Sequence, residues 1–374
     1  MKYKKWLIGW IVLVAIMLTM IGGFVYKIDP YLHYHAPDTE KYYYSLDNER
    51  SQNNGIIKHF DYDALITGTS MTENFRTSEF DDIFDVKSIK VAYSGGTYKE
   101  INDNIAVALK NNPDLRVIVR CLDYDYLLSN NNSVRTDLGK YPTYLYDDNP
   151  FNDVYYLFNK DVIFSRAYGM VASARIEGAQ PGITSFDSYS RWQDEYSFGK
   201  KSIIPEGISV ASGEPIHLTE EEQNIIYDNL TQNVTSLADD YPKVDFYYFF
   251  PPYSAVWWAL HVNDGTIYRC LEAEEYAIEL ILNHPNIKLY SFTNCTNITT
   301  NLNYYKDMTH YGEWVNSYML KAMREGKCLL TKENYKEYLQ EERFFYTTFD
   351  YNSLNEQKDY EDDSYAGVLL GIGE

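Results

Sequence analysis

With 374 residues, the chain is long enough to bury a large core and suits one or two domains. A formal net charge of −21 repels phosphate backbones and argues against nucleic acid as a partner. The 38 tyrosines supply much of the 16% aromatic content, and such amphipathic rings suit wet grooves of the kind that hold sugars. Cys121, Cys270, Cys295 and Cys328 lie far apart in sequence with no C-x-x-C pair, so neither a zinc signature nor a disulfide framework is expected. Cys121, inside an apolar run, reads as an inert buried thiol.

Lys2, Lys4 and Lys5 precede an unbroken apolar run from Trp6 to Tyr26, WLIGWIVLVAIMLTMIGGFVY, about the length that crosses a bilayer as a helix. The lysines are expected to stay in the cytoplasm, which puts the chain after Lys27 outside, with Trp6, Trp10 and Tyr26 near the two interfaces. A cleaved signal peptide competes, but no A-x-A site follows and Ile21-Gly22-Gly23 is a poor one. Residues 1–27 are therefore expected to be an uncleaved anchor. The sequons at Asn229 and Asn297 are glycan acceptors only in a eukaryotic secretory route, and in so Asn-rich a chain they can arise by chance.

Residues 28–62 are polar and aromatic, carry Pro30 and Pro37, and show no clear period; they read as a linker packing on the following domain. His33 and His35 flank Tyr34 there, without the further ligands a metal site needs. From Asp63 a rhythm begins of short β-branched runs alternating with helical periods. Strands are predicted at 63–68, 88–93, 116–123, 244–252 and 286–292. Helices fit at 98–111, at 219–238 behind a capping box from Thr219 to Glu222, at 267–283, and at 311–324 before Gly326. Such runs predict an α/β domain over 63–330: a doubly wound, flavodoxin-like parallel sheet of about five strands in three layers, with its crevice beyond the carboxyl ends of the strands. A long insertion at 129–215 reads as a subdomain or lid over that crevice. At the C-terminus, 331–374, an exposed charged helix over 331–344 and an acidic tail are expected.

Three segments fall on the crevice edge. Ser70 follows the first strand in GTSMTENF, Gly95-Gly96 follows the second in YSGGTYKE, and Asp307-Met308-Thr309-His310 leads into the last core helix. Ser70 to Glu73 also fits an S-x-x-E capping box, Gly95-Gly96 an ordinary turn, and Asp307 or His310 a helix cap. Together they offer other chemistry. A serine hydroxyl needs a base, histidine is the base suited to neutral pH, and a carboxylate must orient it. The amides of Ser70, Gly95 and Gly96 are candidate donors to an oxyanion.

On these blocks the chain resembles the SGNH (GDSL-like) esterases and acyltransferases, whose signature is a Ser after the first strand, a Gly after the second, an Asn after the third and a C-terminal D-x-x-H. The similarity spans about residues 60–325 outside the insertion. The anchored layout looks most like the branch that acylates cell-envelope polymers, the DltD-like and alginate-acetylation-like proteins. The resemblance implies Ser70 as nucleophile, His310 as base and Asp307 as its orienter, with a membrane O-acyltransferase as a partner that passes acyl groups outward. One block departs: Asp123 stands where the family has its Asn, and an ionised carboxylate opposes an oxyanion. Arg120 and Asp123 could bind substrate or pair with each other. Pro251-Pro252-Tyr253-Ser254 and Trp257-Trp258 follow the fourth strand, where Tyr253 and Trp257 could stack on a sugar or simply pack in the core.

The expected function is an anchored, extracytoplasmic esterase or O-acyltransferase acting on an envelope glycan or polymer through an acyl-serine, needing no metal or organic cofactor. The alternative is a non-catalytic accessory protein of the same fold that binds glycan or a membrane partner.

Overall fold

The computed structural model describes residues 2–137 and 139–360. The chain divides into two compact units, one of residues 1–60 with 136–185, the other of residues 61–135 with 186–374.

The first unit begins with helix α1, Lys2–Ile28, which is exposed along most of its apolar length and long and apolar enough to cross a membrane. Its exit is fixed by Asp29. That residue sits at φ 47°, in the left-handed region, and its buried carboxylate accepts the backbone N–H groups of His33 (3.0 Å), Tyr34 (2.7 Å) and His35 (3.0 Å). The Tyr156 hydroxyl donates to the same carboxylate at 2.8 Å. His33 and Tyr34 in turn bond Asp153 at 3.2 and 3.0 Å, so these residues are tied down rather than loose. Within the stretch expected to be an aperiodic linker lies helix α2, Glu49–His59, capped by the Asn48 side chain and burying Ile56 and Ile57. Tyr43–Tyr44 pairs in parallel with Gly182–Ile183, and Val25, Tyr31, Leu145, Tyr156 and Val162 form the core of the unit.

The second unit holds the sheet: β1 Ala64–Gly68, β2 Ser88–Ala92, β3 Val117–Cys121, β4 Asp245–Phe250, β5 Ile287–Ser291 and β6 Leu329–Leu330. The spatial order is β2-β1-β3-β4-β5-β6, parallel except for β6. The sheet therefore has six strands and is mixed, not a parallel sheet of about five. A two-residue antiparallel strand shows no periodicity that could announce it. Every residue of β1, β2 and β3 is buried, which is why these runs lack polar alternation. Helices α3 Thr77–Phe84, α4 Tyr98–Asn111, α5 Glu220–Leu230, α6 Ala255–Asn263, α7 Ile267–Ile281, α8 Glu313–Glu325 and α9 Tyr335–Thr348 flank it, with α3 packing on α8, and α7 on α5 and α9. The Thr219–Glu222 capping box forms as expected, and Gly326 ends α8 at φ 71°. Asn229 is buried and donates to the Tyr126 carbonyl at 2.8 Å, so its sequon is closed to a glycan in the folded protein.

The C-terminal helix corrects another expectation. α9 is charged but not simply exposed: it buries Leu339, Glu342 and Tyr346. Residues 361–374, most of the expected acidic tail, lie outside the described residues. Glu342 faces Glu274 of α7, and both carboxyls are fully buried. Burial, and for Glu342 also the neighbouring charge of Glu274, raises both pKa values. A shared proton is what lets two such groups sit together. Above the unfolded carboxylate value of about 4.3 the native state holds more protons than the unfolded chain, so this pair loses stability as pH rises. Glu342→Gln is accordingly expected to narrow the drop in melting temperature between pH 5 and pH 8, as thermal melts at both values would record.

Candidate active site

At the end of β1 the chain turns sharply at Gly68, φ 149°, where a Cβ would lie 2.7 Å from Thr72 Cγ2 and 3.0 Å from Cys121 Cβ. Glycine is required there on both counts. Ser70–Thr72 then forms a single 3₁₀ turn, and the expected Ser70 capping box does not form. Thr69 takes that role, its hydroxyl accepting the Met71 N–H at 3.3 Å. Ser70, half-buried, is left with its Oγ 2.8 Å from His310 Nε2, across 240 residues of sequence.

His310 and Asp307 sit in a tight loop rather than in a helical turn. Tyr305 and Tyr311 form an antiparallel bridge, and the Lys306 N–H donates to the His310 carbonyl at 3.0 Å. This folds Asp307 back onto the imidazole, with both carboxylate oxygens 2.9 Å from His310 Nδ1. Asp307 Oδ1 also accepts the backbone N–H groups of Thr309 (2.9 Å) and His310 (2.8 Å). Burial alone would raise the Asp307 pKa, but the His310 ring and these N–H donors outweigh it and hold the carboxyl well below the usual range. With Nδ1 facing a carboxylate, the imidazole has Nε2 free to accept from Ser70.

The insertion supplies a residue with no signal in its local sequence. Trp192 stands edge-on to His310, ring centres 5.8 Å apart at 86°, and its backbone N–H donates to Asn74 Oδ1 at 3.1 Å. Lys306 Nζ lies 4.6 Å from the centre of the Trp192 ring, 3.9 Å from that of Tyr196 and 3.5 Å from Asp307 Oδ2, which joins this aromatic pair to the Asp307 loop.

Among the described residues, the N–H groups of Ser70 and Gly95 meet no acceptor. Gly96 differs: its N–H donates to the Tyr93 carbonyl at 2.6 Å, so it is not available as an oxyanion donor. Gly95, at φ 57°, lies where a Cβ would strike the Arg135 guanidinium.

Asp123 is buried and has both oxygens engaged, Oδ2 by the Thr69 hydroxyl and Oδ1 by the Tyr253 hydroxyl. Burial raises its pKa, and those two hydroxyls oppose the rise. It does not pair with Arg120. That guanidinium is fully buried, donates to the carbonyls of Asn233 (2.7 Å) and Tyr98 (3.2 Å), and lies between the Tyr98 and Tyr248 rings. Arg120 is thus a core residue, out of reach of a substrate. Tyr253 and Trp257 are likewise buried, Trp257 against Tyr124, Tyr253, Trp258 and His261, so they pack the core and form no open sugar platform. No group of three or more metal-ligating side chains occurs among the described residues.

No protein-family model and no curated protein matches the chain. A solved structure described as "a putative platelet activating factor from Streptococcus pneumonia" is similar at 11% identity over 78% of this chain and 91% of that one, with a TM-score of 0.37.

Asp123 anchors Thr69, whose hydroxyl in turn caps the Ser70 turn. Asp123→Ala would leave two buried hydroxyls without an acceptor, an expected loss of about 3 kcal/mol in urea unfolding. Asp123→Asn keeps an acceptor oxygen and is expected to lose clearly less; equal losses would show that hydrogen-bond acceptance is not its role.

Proposed function

We propose that the protein is a serine acyl-transfer enzyme in which Ser70 is the nucleophile, His310 the general base and then acid, and Asp307 the group that orients the imidazole. The single observation that carries this reading is the Ser70 Oγ to His310 Nε2 contact of 2.8 Å, with His310 Nδ1 held on Asp307. The residues come together from the ends of β1 and of the loop before α8, in the chain order of the SGNH blocks they resemble.

The steps follow from the geometry. His310 Nε2 takes the Ser70 proton as Oγ attacks an ester carbonyl, and the imidazolium that forms faces an ionised Asp307. The free N–H groups of Ser70 and Gly95 are our candidates for stabilising the oxyanion. His310 then protonates the leaving alcohol, which departs and leaves an acyl-serine. In the second half, His310 takes a proton from the acceptor hydroxyl, which attacks the acyl carbon and restores Ser70. Water as acceptor makes the protein an esterase; a sugar hydroxyl makes it an O-acyltransferase. The apolar α1 supports placement at a membrane, and with the resemblance it favours an envelope glycan or polymer as acceptor, in an extracytoplasmic setting with a membrane O-acyltransferase as donor partner. Asp123, which sequence alone set against the mechanism, is compatible with it, because its oxygens are turned to Thr69 and Tyr253.

In the full chain, a fluorophosphonate is expected to label Ser70 and p-nitrophenyl acetate to be turned over. Ser70→Ala should abolish labelling, and Asp307→Asn should lower kcat by about ten-thousand-fold by leaving the imidazole in the wrong tautomer. A wild-type chain that is folded yet neither labelled nor active would favour the non-catalytic binding protein instead.

A further inference from the structure

The first unit carries a surface that the acyl-transfer reading does not use. Phe151, Val154, Tyr155, Phe164, Tyr168 and Ile176 are all exposed, Phe151 by 87% and Ile176 by 76%. Phe151 lies in the turn before a short helix, Val154–Leu157, and the others stand on that helix and on a continuous run of π and α turns from Val162 to Glu177. Single exposed apolar side chains are ordinary on a soluble surface, but so many large ones within 26 residues need an apolar neighbour.

Their position beside α1 says which neighbour. The Phe158 ring packs against Gly22, 3.5 Å from where a Cβ would stand, and Leu157 lies 3.9 Å from the same point. Gly22 is four residues before Tyr26, the end of the apolar run, and so about 6 Å inside it along the helix axis. Val25 of α1 shares its core with Tyr156 and Val162. The joint is also held by polar bonds, since the Tyr156 hydroxyl donates to Asp29 at 2.8 Å and accepts the Tyr31 N–H at 3.0 Å. A surface built onto the last turns of a spanning helix lies at the depth where that helix leaves the bilayer. Aromatic rings, and tyrosines above all, are favoured at that depth. The chain's net charge of −21 offers anionic headgroups no general attraction, so apolar contact has to supply the binding.

We propose that the aromatic surface of residues 151–176 is a second membrane contact, seated in the interface of the bilayer leaflet at which α1 ends. The inference rests on reading α1 as a membrane-spanning anchor, and its test separates the two. Full-length protein carrying Phe164→Trp, or separately Tyr155→Trp, is reconstituted in phosphatidylcholine vesicles, and the added tryptophan signal is taken as the difference from the parent. It is expected to be lost to acyl-chain-brominated lipid about as strongly as that of Trp6 and Trp10, and to be shielded from aqueous iodide. An added signal open to iodide and untouched by bromine, with Trp6 and Trp10 still quenched, would overturn this contact and leave the anchor standing. No bromine quenching of Trp6 and Trp10 would overturn both. Shielding from iodide without bromine quenching would assign the surface to a protein partner, a second copy included, and overturn the lipid contact.

Discussion

The hydroxyl of Thr69 decides what that of Ser70 can do. Two adjacent hydroxyl residues follow β1, and the turn that begins there needs one of them to satisfy a free backbone N–H. Thr69 meets the Met71 N–H and donates onward to the buried Asp123, itself held from the other side by Tyr253. Ser70 is thereby released from the backbone, and its hydroxyl turns to His310. Had Ser70 capped the turn, as an S-x-x-E pattern predicts, its hydroxyl would have had to accept a backbone N–H while donating to the imidazole. The division of labour between neighbouring side chains makes the site chemically plausible, and it depends on an acid that a one-dimensional comparison of motifs sets down as a defect.

Much of the core geometry was legible because it is local. Apolar runs of five or so residues, β-branched or aromatic, marked β1 to β5, and capping or glycine signals marked the ends of α5 and α8. The Ser70, Asp307 and His310 segments could be assigned to one edge from strand order alone. What was not legible depends on distant partners. β6 exists only because β5 offers an edge to Leu329–Leu330. The buried side of α9 depends on partners far back in the chain, such as Trp258, on which Tyr346 stacks. Trp192 has no local feature to link it to His310, and Gly96 looks as available as Gly95 until the Tyr93 carbonyl claims its N–H.

The two fully buried cations inside the strands were the least transparent part of the sequence, and they share one use. Lys90 of β2 is fully buried and donates to the carbonyls of Glu73 and Phe75, in the loop that follows Ser70. Arg120 of β3 is fully buried and holds the carbonyls of Tyr98 and Asn233. In each case a cation lies in a strand whose every residue is buried and binds main-chain oxygens beyond it. Loop carbonyls that would otherwise be buried without donors are satisfied in this way, and the loops are fixed to the sheet. Sequence left two roles open for Arg120, binding substrate or pairing with Asp123; here the charge points at backbone instead.

The chain's path also changes what the long insertion is. Expected as a subdomain or lid over 129–215, it is divided: residues 136–185 complete the unit that α1 begins, while residues 186–215 belong to the α/β unit and bring Trp192 to His310. The chain therefore passes between the two units three times, near residues 60, 135 and 185, where a simple tether would connect them once. Here α1 ends in a fold of its own, closed by Asp29 and Tyr156, and the α/β unit is joined to that fold by three strands of chain.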